Sequence, residues 1–153
     1  MKIDVRFDAS VRGITAAWVR RVVNQALAAG AARRRILATG AAPYLGVLVT
    51  TNAEIRKINR KFLSHDYATD VISFGNDGRG DPPGRPYLGD LVVSADMARA
   101  VSEELNIKYK EELARYLVHG SLHLLGYLDK SKKDRARMFR KQEAILTRIF
   151  SNA

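Results

Sequence analysis

The sequence predicts one α+β domain in which a mixed, mostly parallel four-stranded sheet is surrounded by about five helices. The chain has 153 residues, of which 46% are hydrophobic and 27% charged, as expected of a single globular domain. Its periodic segments follow the order β-α-β-α-β-β-α-α-α, and the early strand–helix–strand crossover indicates a parallel pair of strands. Two later strands are joined by a loop rich in glycine and proline, which indicates an antiparallel edge.

The first strand and the first helix are expected near the N-terminus. Residues Lys2 to Phe7 alternate between apolar and polar side chains, which is the pattern of a half-buried strand. Ser10 can cap a helix that runs from about Val11 to Ala29, and Gly30 ends it. The residues of this helix that we expect to face the core are Ile14, Trp18 and Val22.

A second strand and a second helix follow Pro43. The continuous apolar run from Tyr44 to Thr50 is typical of a buried central strand. Thr51 and Glu54 form a capping box at the start of the next helix. Its inward residues are expected to be Ile55, Ile58 and Phe62, and its outward cations Arg56, Lys57, Arg60 and Lys61.

The next two strands are expected to pair with each other. They are Val71 to Phe74 and Leu88 to Ser94, and antiparallel pairing across the segment between them is the simplest arrangement. That segment, Gly75 to Pro86, is rich in glycine, proline and aspartate, which predicts a mobile loop. A short helix from Ala95 to about Leu105 follows the second strand.

Two longer helices complete the chain. The first spans roughly Lys108 to Leu125, and the last begins at a capping box formed by Ser131 and Asp134 and ends near Phe150. The apolar stripe of the first contains Leu113, Leu117, Gly120 and Leu124, and the residues of the last that we expect to be buried are Met138, Ile145 and Ile149.

A formal net charge of +10 is the strongest compositional signal. A field of this sign attracts polyanions, so nucleic acid is the first expected partner, anionic membrane the second, and a basic surface without a partner the remaining alternative. Candidate phosphate contacts are the Arg33–Arg35 triplet and the basic last helix. No apolar run reaches the roughly 18–20 residues of a membrane span, and the N-terminus lacks a signal-peptide pattern. The absence of cysteine excludes disulfides and thiolate metal sites and fits a reducing cytoplasm.

A short stretch of the second-last helix carries a predicted metal site. His119 and His123 are four residues apart, so a helix places both imidazoles on one face. Gly126 ends the helix and Asp129 follows in the exit turn, which adds a carboxylate to the two nitrogens. Three ligands with an open fourth position are typical of catalytic zinc, while His65 is a fourth ligand only if folding brings it close. The structural alternative is two core histidines and a capping aspartate.

Hydrolysis is the reaction class that such a site favours. Zinc suits imidazole and carboxylate ligands best, with nickel or iron as less favoured alternatives. Zinc lowers the pKa of bound water to about 7 and polarises carbonyl or phosphoryl oxygens. In H-E-x-x-H peptidases a glutamate follows the first histidine and acts as the base, but here that position is Gly120. Because Gly120 falls on the apolar stripe, we expect close packing there and no general base from this motif.

Three segments carry recognisable motifs: HGSLHLLGY at residues 119–127, INRKF followed by TDVISF at residues 58–62 and 69–74, and LGDL at residues 88–91. Together they resemble the YbeY family of rRNA-maturation endoribonucleases. Residues 119–127, HGSLHLLGY, resemble its H-G-x-L-H-L-x-G-Y-D-H signature with three zinc-binding histidines. Residues 58–62 followed by 69–74, INRKF and TDVISF, resemble its "LN…TDVLSF" segment, and residues 88–91 resemble its "LGDI" strand. The matches occur in the family's order and cover most of residues 44–130, and the family's fold is a single α+β domain.

The resemblance implies a role for each matched position. His119 and His123 match the first two zinc histidines, and the third ligand position falls on Asp129. Leu63 stands where the family usually has an arginine that serves RNA cleavage, so Arg60, Lys61 or His65 is expected to bind substrate in its place.

The activity implied is zinc-dependent cleavage of single-stranded RNA in the cytoplasm, including maturation of the 3′ end of small-subunit rRNA. The implied partners are RNA and the small ribosomal subunit or its assembly factors, with no membrane or DNA partner. Two alternatives stay open: a zinc metallopeptidase, and a non-enzymatic ribosome assembly factor whose metal is structural.

Overall fold

A computed structural model describes residues 1–29, 43–76 and 87–151. Within these ranges the chain forms four strands and five helices. The strands are β1 (Lys2–Phe7), β2 (Tyr44–Thr50), β3 (Val71–Gly75) and β4 (Tyr87–Ser94). The helices are α1 (Ala16–Ala29), α2 (Asn52–Leu63), α3 (Ala95–Leu105), α4 (Tyr109–Leu124) and α5 (Lys132–Ser151).

The four strands form one mixed sheet in the order β1-β2-β4-β3. β1 and β4 both run parallel to the central strand β2, and β3 pairs antiparallel with β4 at the edge. The register aligns Val5 with Val47, and Val47 with Leu91, while Ser73 lies opposite Leu91. The predicted α+β class, the parallel pair and the antiparallel edge are therefore confirmed.

The two faces of the sheet are covered unequally. α1, α4 and α5 contribute to a large apolar core on one face, in which Leu45, Leu91 and Leu117 are fully buried. α2 covers part of the other face with a small cluster centred on Ile55 and Ile72. α4 packs against β3 and β4 as well as α1, α3 and α5, so it is the most enclosed helix. The predicted metal site therefore lies on the best-anchored helix.

Two helix starts are capped as the sequence predicts. The Thr51 hydroxyl accepts a hydrogen bond from the Glu54 N–H at 3.2 Å, and the Ser131 hydroxyl accepts one from the Asp134 N–H at 3.0 Å. Each bond satisfies a backbone donor that the first turn of a helix leaves without a partner.

The start of α1 differs from the prediction. The helix begins at Ala16 and not near Val11, and the Thr15 hydroxyl caps it by accepting from the Trp18 N–H at 3.2 Å. The hydroxyl of Ser10 instead donates to the Asp8 carboxylate at 2.8 Å. Gly13 adopts a left-handed φ of 76°, so the backbone between these residues is not helical.

Phe62 is a second correction. The prediction placed its side chain inward, but 60% of Phe62 is exposed. The small cluster under α2 is formed by Ile55 with partly buried Ile58. Phe62 lies outside this cluster and contacts Phe74 edge-on, with ring centroids 5.7 Å apart. The end of the helix therefore lies beyond the covered part of the sheet.

Two predicted features lie outside the described residues. They are the Arg33–Arg35 segment and the part of the Gly75–Pro86 loop from residue 77 onward. None of the helices in the described ranges is long and apolar enough to cross a membrane.

Candidate metal centre

The C-terminal end of α4 places the two histidines and reverses the chain toward Asp129. Gly126 adopts a left-handed φ of 96°, and its N–H donates to the His123 carbonyl at 2.9 Å. The Tyr127 N–H donates to the Leu122 carbonyl at 3.1 Å. This pair of bonds is a Schellman motif, which fixes the direction in which the chain leaves the helix. The exit turn therefore holds Asp129 beside the helix face that carries His119 and His123.

The three predicted ligands lie together. The Nε2 atoms of His119 and His123 are 3.1 Å apart, and the His123 Nε2 is 3.2 Å from an Asp129 carboxylate oxygen. One ligand atom from each residue lies within 4.8 Å of the others. The two rings are half-buried and the aspartate is exposed, so the group is open to solvent on the carboxylate side.

The outer ring nitrogens determine how the imidazoles are protonated. The His123 Nδ1 is 3.0 Å from the Tyr127 carbonyl oxygen, which can only accept, so this Nδ1 carries a hydrogen. The His119 Nδ1 is 2.8 Å from Oε1 of Gln142. Gln142 donates from its Nε2 to Glu143 at 3.2 Å, so its amide oxygen faces the ring and accepts from the His119 Nδ1.

When both rings are neutral, hydrogens on the Nδ1 atoms leave the two Nε2 atoms with lone pairs. Two ring nitrogens and a carboxylate oxygen then lie within 4.8 Å of one another, and each can offer a lone pair to a cation. A cation relieves their mutual repulsion. Two imidazoles and one carboxylate are a common ligand set for a divalent metal of the zinc type. The residues present at this site therefore fit such an ion.

Gln142 is a site residue that the sequence analysis missed. It is 95% buried on α5 and connects His119 to an ionic cluster. In that cluster Arg115 donates to Glu143 at 2.9 Å and to buried Glu112 at 2.7 Å. The hydrogen bond from Arg115 holds the pKa of Glu143 below its ordinary value, so Glu143 remains an acceptor for Gln142 at neutral pH. The only sequence signal was a polar residue in the buried stripe of the last helix.

Replacing Gln142 by methionine is expected to lower metal affinity about 10- to 100-fold, as loss of such ligand-orienting partners does. Methionine has a similar size but leaves the His119 Nδ1–H without its acceptor. Glutamate at the same position keeps an acceptor oxygen and is the matched control. Competition with a chromophoric chelator measures both affinities. An unchanged metal affinity in the methionine variant would show that the His119 ring does not need the hydrogen bond to Gln142 in order to bind metal.

Gly120 lets α4 pack closely on the sheet. A Cβ at this position would lie 2.8 Å from Leu91 Cδ2 and 2.9 Å from Val71 Cγ2, closer than carbon atoms approach. The Ser73 hydroxyl also donates to the Gly120 carbonyl at 3.1 Å. The predicted packing role of Gly120 is confirmed. Side chains of β3 and β4 fill the space that a glutamate at this position would need, so the packing does not admit the peptidase motif.

A cavity of about 280 Å³ opens beside the ligands. α5 forms one wall of this cavity. The lining residues of α5 recur three or four positions apart, so they share one face of the helix. Its described lining residues are His119, Asp129, Arg135, Met138, Phe139 and Gln142. Arg135 and Phe139 are further residues that the sequence analysis did not assign to the site, since their place depends on how α5 packs against α4.

The other predicted site residues lie on and just after α2. Arg60 is 3.9 Å from the Asp66 carboxylate, the Lys61 ammonium lies over the Phe62 ring, and the His65 ring stacks on Tyr67. None of the three is among the described residues that line the cavity, and His65 is not part of the ligand group. Leu63, at the position of the family's arginine, is 43% exposed.

A larger cavity of about 410 Å³ lies on the opposite face of the sheet. Tyr44 and Phe74 are among its apolar walls, and its charged lining residues are Asp4, Arg6 and Asp90. His119, His123 and Asp129 are not among its described lining residues, so the candidate metal site lies at the smaller cavity.

Comparisons with known proteins agree on one family. A family model described as endoribonuclease YbeY matches residues 5–150. The endoribonuclease YbeY of Bacillus licheniformis is 42% identical over 113 residues, which cover 68% of this chain and 70% of that protein. The endoribonuclease YbeY of Chlorobaculum parvum is 34% identical over 131 residues, covering 85% and 89%. The solution structure of TM1509 from Thermotoga maritima has the same fold, with a TM-score of 0.62 at 20% identity, over 98% of this chain and 90% of that one.

Proposed function

Since the chain belongs to the endoribonuclease YbeY family, we propose that it cleaves single-stranded RNA with one zinc ion held by His119, His123 and Asp129. The family makes the chain a nuclease of the hydrolase class and RNA its substrate. The metal, the preference for single strands and the role in the cell are the parts that we propose.

The observation that carries the proposal is the convergence of three lone-pair donors beside an open cavity. A structural zinc site normally has four protein ligands, whereas a catalytic site has three and leaves one position for water or substrate. Among the described residues only three ligands meet. An open, catalytic site is therefore favoured over the structural metal of the assembly-factor alternative.

The residues around the proposed ion have different roles, either as ligands or as groups that orient the ligands. Gln142 and the Tyr127 carbonyl hold the two rings in the orientation that ligation needs, and the α4 exit turn holds Asp129. Zinc, when bound, would polarise a phosphoryl oxygen and lower the pKa of a water molecule to about 7. Within the described part of the cavity wall, His119 and Asp129 are the only side chains able to accept a proton, and both are ligands. That wall offers no separate general base.

The proposed biological substrate is ribosomal RNA, including the 3′ end of small-subunit rRNA. This part rests on the family resemblance and on the net charge of +10, which favours binding to a polyanion and predicts weaker binding at higher salt. Arg60, Lys61 and His65 remain proposed contacts to the RNA away from the metal.

A cleavage assay tests the proposal. Purified protein should cut a single-stranded RNA whose two ends are chemically blocked, because an endonuclease needs no free end. A chelator should abolish the cleavage, and added zinc should restore it. His119→Ala purified in parallel should be inactive. Cleavage that survives the chelator and is equal in His119→Ala would remove the metal-dependent mechanism. Normal rRNA maturation in cells that carry only His119→Ala would favour the assembly-factor alternative.

A further inference from the structure

Phe139 lies at the wall of the metal cavity although most of its surface is exposed. It is 60% exposed on α5, where Met138, Ile145, Leu146 and Ile149 are buried and Phe150 is half-buried. It follows Arg135 by four residues and lines the cavity together with His119 and Asp129. The one large apolar side chain of α5 that is exposed therefore lies beside the proposed metal site.

The ring of Phe139 differs from three other partly exposed rings of the molecule. Cations cover Trp18, Tyr109 and Tyr127, through Lys110, Arg99 and Arg137 respectively. In the described part of the chain no aromatic ring or cation contacts the Phe139 ring. An exposed aromatic face at a functional cavity indicates a flat apolar ligand.

The charge around Phe139 identifies the class of that ligand. The segment from residue 130 to 141 contains seven cations and one carboxylate, and its cations are Lys130, Lys132, Lys133, Arg135, Arg137, Arg140 and Lys141. Arg135 also donates from Nη1 to the carbonyls of Asp129 and Lys130, at 3.3 and 3.0 Å, so its guanidinium stays beside the ligand turn. Phosphates next to flat apolar rings are the defining features of a single nucleic-acid strand.

We propose that Phe139 stacks on the nucleobase next to the phosphate that is cleaved. This inference rests on the proposed function. The cavity of about 280 Å³ suits one nucleotide, not a duplex. A base can stack on Phe139 only when it is unpaired and no longer stacked on the neighbouring bases of its strand. Phe139 thus selects single strands, because in double-stranded RNA the bases are already stacked and paired.

The test compares single-turnover and steady-state cleavage by four forms of the zinc-loaded protein. Phe139→Ala should raise KM for a single-stranded RNA about 5- to 150-fold, the range for loss of one base–aromatic stack. Phe139→Trp should restore KM. Leu105→Ala is the matched control, since Leu105 is 61% exposed at the end of α3, next to the start of α4, whereas His119 and His123 lie toward the other end of α4. Its KM should equal that of the unmodified chain.

Two further readouts separate stacking from structure. A fluorescent base analogue at the cleavage position should be quenched on binding the unmodified chain and Phe139→Trp but not Phe139→Ala. Zinc content and thermal unfolding should be the same in all four forms. An unchanged KM and quench in Phe139→Ala, or a KM change matched by lost zinc, would overturn the inference while the proposed function stands. No RNA cleavage by the unmodified chain would overturn both.

Discussion

Replacing Asp129 by alanine is expected to lower the zinc affinity of the protein by more than about 100-fold. Loss of a residue that only orients a ligand costs about 10- to 100-fold, and Asp129 supplies one of the three ligand atoms itself. The loss leaves two histidines at helical spacing, which cannot enclose an ion on three sides. Equilibrium competition with a chelator of known affinity measures the change.

Two further variants serve as controls for this prediction. Asp129→His introduces the ligand that the family signature has at this position and should keep zinc binding. Lys130→Ala changes the exposed neighbouring side chain and should leave affinity unchanged. If Asp129→Ala bound zinc as tightly as the unmodified chain, the third ligand would have to come from elsewhere, and the turn after α4 would have no role in the metal site.

Replacing Gly120 by glutamate is expected to destabilise the fold by at least about 3 kcal/mol. Overpacking a tight interface costs about 1–3 kcal/mol, and a buried, unpaired carboxylate adds several kcal/mol more. The gain in helix propensity over glycine offsets only about 1 kcal/mol. The added Cβ alone would lie 2.8 Å from Leu91 Cδ2 and 2.9 Å from Val71 Cγ2. Urea unfolding followed by circular dichroism measures the loss.

Ala144→Glu is the control for this substitution, since it adds the same side chain to an exposed position of a helix, α5. Its free energy of unfolding should change by less than about 0.5 kcal/mol, as is usual at exposed sites. A Gly120→Glu protein as stable as the unmodified chain would mean that α4 can move away from the sheet. The H-E-x-x-H peptidase pattern would then be compatible with this fold, which the packing argues against.

The grouping of the His119, His123 and Asp129 side chains was predictable because the information that places them is local. Histidines four residues apart share a helix face wherever the helix packs. Gly126 fixes the turn through its own backbone conformation, which brings Asp129 back within three residues. Local signals also placed the caps at Thr51 and Ser131.

Residues whose role depends on packing between helices were not predictable in the same way. Gln142 and Phe139 reach the site only because α5 crosses α4, at a sequence separation of about twenty residues. The start of α1 was misplaced because Ser10 prefers the nearby Asp8 carboxylate over the role of helix cap. The inward position predicted for Phe62 failed because the helical period does not tell how far along α2 the sheet extends.

Measuring cleavage and zinc occupancy in the same titration tests the central claim most directly. Zinc is added in steps to protein stripped of metal, and each sample is assayed for bound zinc and for cleavage of end-blocked single-stranded RNA. The rate should rise in proportion to occupancy and reach its plateau at one ion per chain. A full rate at zero occupancy, or a rate that stays at zero with one ion bound, would contradict the assignment of the nuclease activity to the His119–His123–Asp129 site.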